Sequence, residues 1–91
     1  MAETILEFRG INLLHLGLYF EELGGVWTGE SDMPKKYRGG SWSGEILSEK
    51  EIAFTPNFKV NSVMVRFRAE TEEELAALIK RYRYKTTRVG G

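Results

Sequence analysis

Hydrophobic residues recur along this chain at two periods, and the switches between those periods divide it into elements. Thr4 to Arg9 alternates, with Leu6 and Phe8 on one side and Glu7 and Arg9 on the other, the pattern of a half-buried strand. Gly10 interrupts it. Asn12 is a good N-cap for a helix over Leu13–Leu23, because its side-chain oxygen can accept from a free backbone N–H of the first turn. Leu13, Leu16, Phe20 and Leu23 then form one stripe, with Glu21 and Glu22 on the other side. Gly24-Gly25 ends the helix as a C′ glycine does. Gly17 sits in mid-helix, where it costs about 1 kcal/mol against alanine, and close approach to a sheet beneath would account for it.

Val26 to Glu30 reads as a second strand, and Ser31 to Gly40 as a loop containing Pro34 and Gly39-Gly40. Trp42–Leu47 and Glu51–Phe54 read as a hairpin around Ser48-Glu49-Lys50, followed by a turn at Thr55-Pro56-Asn57. Ser62–Ala69 is the clearest strand, with Val63, Val65, Phe67 and Ala69 alternating against Met64, Arg66 and Arg68. Thr71-Glu72-Glu73-Glu74 has the form of a capping box, and Leu75, Leu78, Ile79 and Tyr82 follow it on one helical face.

The expected order is strand, helix, four strands, helix. That is an α+β fold of two layers, with one antiparallel sheet and two helices on one of its faces. Consecutive hairpins favour antiparallel pairing, since parallel strands need long crossovers. The 91 residues make a single domain, 1–91.

Charge changes this picture only at the end of the chain. The net charge is zero, yet Leu75 to Gly91 holds five basic residues (Lys80, Arg81, Arg83, Lys85, Arg88) and no acid. Cations suit the negative end of the last helix, and residues 84–91 read as a flexible basic tail. A basic tail on an acidic body would also steer an anionic partner.

With no cysteine, disulfides, thiolate chemistry and sulfur ligation of metals are excluded. The start of the sequence lacks a secretion pattern, and no apolar run approaches the roughly 18 residues of a membrane span. The expected location is the cytoplasm, with no membrane partner.

His15 is the single histidine and has no partner for a catalytic or metal cluster. The carboxylates form no acid/base dyad, and no phosphate-loop, dinucleotide or hydrolase motif is present. The expectation is a protein that is not an enzyme, with no cofactor and no metal.

Three segments could bind something. Arg66 and Arg68 project from the open face of the best strand, where Trp27, Trp42 and Lys59 from neighbouring strands could join them. With eleven aromatics in 91 residues, such a face would suit a protein partner or a homodimer. The ordinary alternative is the wet face of an antiparallel sheet. Lys35, Lys36 and Arg38, grouped with Tyr37 and flexible glycines, read first as a solvated loop and second as an anion-binding one. As a nucleic-acid site the loop would be weak, because the chain is neutral overall. Gly90-Gly91 is the third segment. A diglycine end admits a carboxylate to a narrow adenylating site, as in sulfur carriers, since glycine has no Cβ to block close approach. Those carriers are β-grasp domains that begin with a hairpin, whereas this chain begins strand–helix.

The stretch Leu6 to Gly25 joins an aromatic-ended strand, a Leu/Tyr helix and a closing Gly-Gly. A Trp/Gly-rich strand pair follows, and the Val63–Phe67 strand leads into an acid-capped helix. In these respects the chain resembles the C-terminal domain of proteins related to the molybdopterin-synthase small subunit (MoaD-related proteins). The resemblance implies a TATA-binding-protein-like β-α-β4-α fold. It also implies an association with molybdopterin sulfur carriers, in whose company the domain has no established role, and the expected role here is that of a non-enzymatic binding or accessory module. The resemblance brings no active-site residues with it.

Overall fold

The computed structural model describes residues 1–29 and 34–90, without the side chains of Phe54 and of residues 87–90. Its elements are β1 (Ala2–Arg9), α1 (Leu13–Glu22), β2 (Val26–Trp27), β3 (Lys35–Arg38), β4 (Trp42–Thr55), β5 (Phe58–Ala69) and α2 (Glu72–Gly90). The strands form one antiparallel sheet in the order β1-β5-β4-β3-β2. No described helix is long and apolar enough to cross a membrane.

Both helices pack on one face, to which every second strand residue points. Phe8, Tyr37, Ile46, Val63, Val65, Phe67 and Ala69 meet Leu16, Tyr19 and Phe20 of α1 and Leu75, Leu78 and Tyr82 of α2. The helical stripes are those expected from periodicity, with Tyr19 added. At the centre Tyr82 is fully buried, and its hydroxyl donates to the Leu16 carbonyl at 2.6 Å, tying α2 to α1. Phe20 lies among the rings of Tyr82, Phe67, Tyr37 and Trp42, with centroids 4.5–5.8 Å apart.

The caps act as their sequences imply. Asn12 accepts from Leu14 N–H at 2.8 Å, and the Thr71 hydroxyl accepts from Glu74 N–H at 3.1 Å. Gly24, at φ +98°, closes α1, and its N–H donates to the Glu21 carbonyl. Gly17 is buried where a Cβ would run into the Tyr37 hydroxyl, which is the close approach to the sheet that its sequence position implied.

The strand count agrees with the sequence reading, but the strands are divided differently. Lys35–Arg38 is a strand and not a loop: only Tyr37 of the four needs to be buried, and near a sheet edge charged neighbours are tolerated. Ser48-Glu49-Lys50 is not a turn. β4 runs through it with a bulge between Ile46 and Ser48, and the hairpin turns at Pro56-Asn57. Beyond the reach of β1 and β3, β4 and β5 continue as a two-stranded arm that carries Ile52, Ala53, Phe58 and Val60 among its polar residues, with Phe58 largely exposed. Asn61 anchors the base of this arm through its side-chain NH2, which donates to the Ile11 carbonyl at 2.5 Å and to Glu49 at 3.1 Å.

Residues 84–90 were expected to leave the domain as a tail. They instead extend α2, and the Thr86 hydroxyl donates to the Arg83 carbonyl at 2.8 Å. Gly91 and residues 30–33 lie outside the described residues.

Candidate functional site

Strand register builds the second face of the sheet, which neither helix covers. Lys36, Glu45, Arg66 and Ile5 stand in one cross-strand row, and Arg38, Ser43, Arg68 and Glu3 in the next. Rows repeat across strands at about 4.8 Å, so side chains on alternate strands can close over the one between them.

Four cations and two carboxylates therefore share one surface. Arg68 Nε donates to Glu3 at 2.6 Å, and Arg66 Nη1 donates to Glu45 at 3.4 Å. Longer ionic approaches of 3.9 Å cross-link the two pairs, Arg66 Nε to Glu3 and Arg68 Nη1 to Glu45. At that distance the Arg66–Glu3 approach is electrostatic and is not a hydrogen bond. Arg66 Nε is thus a buried donor without an acceptor. Glu45 has a side chain only 14% exposed, so its carboxylate is fixed among these guanidiniums.

Lys36 and Arg38 are exposed and make no ion pair among the described residues. The side chains surround a hollow of about 440 Å³ lined by Lys36, Arg38, Ser43, Glu45, Arg66 and Arg68. A second hollow, of about 380 Å³, adjoins it and shares Arg38, Ser43 and Arg68. It extends over the Gly39-Gly40-Ser41 turn towards Trp42 and Met1.

Further along the same face, Glu7 accepts a short hydrogen bond from the Ser62 hydroxyl and pairs with Arg9 at 3.2 Å. The Ser62 bond, and after it Arg9, hold the Glu7 carboxyl below the usual carboxylate range.

The structure thus joins two of the sequence-derived candidates into one. Arg66 and Arg68 lie on the open face as expected, and Lys36 and Arg38 of the supposed loop stand beside them. Lys35 pairs opposite Ile46 and belongs to the other face.

The tryptophans are not on the open face. Trp42 pairs opposite Ala69 on the helix side and stacks on Phe20 at 5.8 Å. Trp27 pairs opposite Tyr37, again on the helix side, and is half exposed there. Lys59 lies on the arm, paired with Glu51 at 3.7 Å. The physical reason is parity: Trp42, Gly44 and Ile46 alternate together, so burying Ile46 carries Trp42 inward. That same parity gives Ser43 and Glu45 to the open face, two members that the sequence reading passed over.

Elsewhere, His15 is exposed on α1, and Gly90 is the last residue of α2. Among the described residues no group of three or more His, Cys, Asp or Glu could hold a metal ion. The face as built can attract and orient anions, either acidic side chains of a partner or a small oxyanion.

One comparison with known sequences identifies the family. The family described as archaeal MoaD-like protein matches residues 4–91, nearly the whole chain, and the chain belongs to it. No curated protein matches.

Proposed function

We propose that this member of the archaeal MoaD-like family is a non-enzymatic accessory domain, working beside molybdopterin sulfur-carrier proteins and docking a protein partner through the open face of its sheet. The observation that carries the reading is the face itself: four cations on β3 and β5, the two strands that flank β4, two of them unpaired among the described residues, on a surface the helices leave uncovered. Family membership supplies the link to sulfur carriers. The β-α-β4-α order and the β1-β5-β4-β3-β2 sheet support assigning the domain to the TATA-binding-protein-like folds. A cytoplasmic setting accords with the absence of cysteine.

The test is calorimetric titration of the domain with the molybdopterin sulfur carrier encoded in the same genome, at low and high salt. Binding should weaken with salt, and the charge reversals Lys36→Glu with Arg66→Glu should abolish it. Binding that survives both reversals would refute this surface. Self-association is the other use of the face, and sedimentation of the same double variant distinguishes it.

The Gly90-Gly91 pair supports a second reading, a carrier in its own right. Its Gly91 carboxylate would attack ATP, release pyrophosphate, and then exchange AMP for sulfide. Intact mass of the untagged protein from its own cells tests it. Exchange of one oxygen for sulfur, lost on deletion of Gly91, is the expected sign, and an unmodified mass during active cofactor synthesis refutes it.

A further inference from the structure

The two hollows meet at three residues, Arg38, Ser43 and Arg68, which form one cross-strand row. We infer that this row is a binding subsite for a phosphomonoester, the phosphate seated over Ser43 between the two guanidiniums and the organic group lying in the second hollow. The inference rests on reading the open face as the working surface, and it names a small ligand there in addition to any protein.

Three features of the row select an oxyanion. Arg38 and Arg68 flank β4 from β3 and β5, so their backbones stand roughly 10 Å apart, two strand spacings. Between them the sheet presents only the short Ser43, which leaves an opening floored by a hydroxyl. Arg68 is already oriented: its Nε is engaged by Glu3 at 2.6 Å. Its Nη atoms make no hydrogen bond among the described residues, only the 3.9 Å approach to Glu45. A guanidinium held in this way presents two parallel N–H groups to a tetrahedral anion without first being ordered.

The charge count selects a dianion. Glu3 and Glu45 compensate Arg68 and Arg66, while Lys36 and Arg38 have no carboxylate partner among the described residues. Glu70 lies outside the two cross-strand rows, in the second hollow, and over those rows the surplus is two positive charges. A phosphomonoester carries about −1.5 to −2 at neutral pH and matches it, whereas a carboxylate would leave one cation uncompensated. Arg66 Nε adds a buried donor that still lacks an acceptor.

The second hollow selects an ester over free phosphate. From the row it runs past Gly39, Gly40 and Ser41 to Trp42, Met1, Ala69 and Glu70. Its floor is the small-residue turn, and Trp42 and Met1 line it together with the Glu70 carboxylate, so a planar or aliphatic group without negative charge can leave the phosphate in that direction.

The test is a 15N-resolved NMR titration of the whole domain with phenyl phosphate at fixed ionic strength, following the Ser43 amide and the arginine Nε–H signals. Inorganic phosphate, sulfate and acetate are run in parallel. Saturable single-site shifts are expected at Ser43, Arg38 and Arg68. Acetate should bind at least about tenfold more weakly, since it lacks the second charge and the third oxygen. Phenyl phosphate should bind more tightly than inorganic phosphate if the second hollow takes the organic group, and equal affinities would overturn that half of the inference.

Arg38→Gln should weaken binding by about tenfold or more, and Ser43→Asp, which places a carboxylate under the phosphate, should abolish it. Lys80→Gln on α2 is the control and should change nothing. Linear shifts spread over all surface cations, or an unchanged affinity in Arg38→Gln, would refute the site. The proposed partner docking is read separately, by calorimetry. A partner that still binds when phosphate does not would sink this inference and leave the docking surface standing.

Discussion

Gly44 lies in β4 directly beneath the ring of Phe20, and its replacement by alanine tests whether the helix side of the sheet is packed as described. A Cβ at Gly44 would overlap the edge of the Phe20 ring at three of its carbons. The backbone there is not in the left-handed region, so the cost is purely steric. Phe20 has nowhere to go: it is fully buried and ringed by Tyr82 at 4.5 Å, Tyr37 at 5.4 Å, Phe67 at 5.6 Å and Trp42 at 5.8 Å. Overpacking of this kind costs about 1–3 kcal/mol. For a domain of this size that corresponds to a fall in Tm of roughly 5–20 °C.

Thermal and urea unfolding, followed by near-UV circular dichroism, would read the loss. Gly40→Ala is the matched control, since nothing lies within 4 Å of the position a Cβ would take there. It should be neutral or stabilising by about 0.4–1 kcal/mol, through the unfolded chain. The decisive variant is Gly44→Ala combined with Phe20→Leu. Removing the ring edge makes room for the methyl group, so the pair should be less destabilised than the sum of its parts by about 1 kcal/mol. Refutation would be a Gly44→Ala protein within about 0.5 kcal/mol of the parent, or strictly additive changes in the pair.

Two buried tyrosines should respond in opposite ways to loss of their hydroxyls. Tyr82→Phe gives up the 2.6 Å bond to Leu16 and should cost about 0.5–1.5 kcal/mol in urea unfolding. Tyr19→Phe removes a buried hydroxyl without a partner and should be neutral or slightly stabilising. Burial pushes the Tyr82 phenol well above its ordinary value of 10, with smaller contributions from Tyr19 and Tyr37, so the folded state holds this proton after the unfolded state releases it. Stability from Tyr82 is thus complete below pH 10 and falls above it by up to about 1.4 kcal/mol per pH unit, which alkaline unfolding of Tyr82→Phe against the parent would show as a shallower decline. Glu7 has the opposite sign: its depressed value stabilises above the ordinary 4.5 and is lost as pH falls through the depressed value, and in Ser62→Ala the Glu7 carboxyl should titrate at higher pH by 13C NMR.

Much of this fold is legible in the sequence, because its helices are amphipathic and capped and because one strand alternates cleanly. Asn12, Gly24 and Thr71 mark helix limits through bonds that the structure contains. What misled was polarity. Lys35-Lys36-Tyr37-Arg38 has the composition of a loop, yet a strand near an edge needs only one buried residue in four, and Tyr37 is that residue. Ser48-Glu49-Lys50 has the composition of a turn, yet it lies where β4 has passed the end of β3 and become an edge of the sheet, opposite Met64, Val63 and Ser62, and an edge tolerates polar residues. Errors of both kinds also hid the site. Once Lys36 and Arg38 were placed in a loop, nothing in the sequence could bring them beside Arg66 and Arg68, since that juxtaposition depends on β3 pairing with β4. The inward turn of Trp42 followed from Ile46 by parity and could have been read.

The division of labour between the two faces has a consequence for any experiment on function. The open-face ion pairs are partly exposed, with side chains of Arg66 and Arg68 27% and 39% accessible, and pairs of that kind contribute about 0–1 kcal/mol each. The folding free energy comes from the opposite side, where Tyr82, Phe20, Phe67, Leu16 and Ile46 are fully buried. Holding four cations together on an uncovered surface therefore does little for the fold, and their mutual repulsion acts against it. Such an arrangement is to be expected where an anion arrives to relieve the repulsion. It follows that charge-removing variants of the unpaired Lys36 and Arg38 should fold as well as the parent, so that any binding they lose is lost at the site and not through the core, whereas removing Arg66 or Arg68 also strips a partner from the nearly buried Glu45 and calls for a stability control.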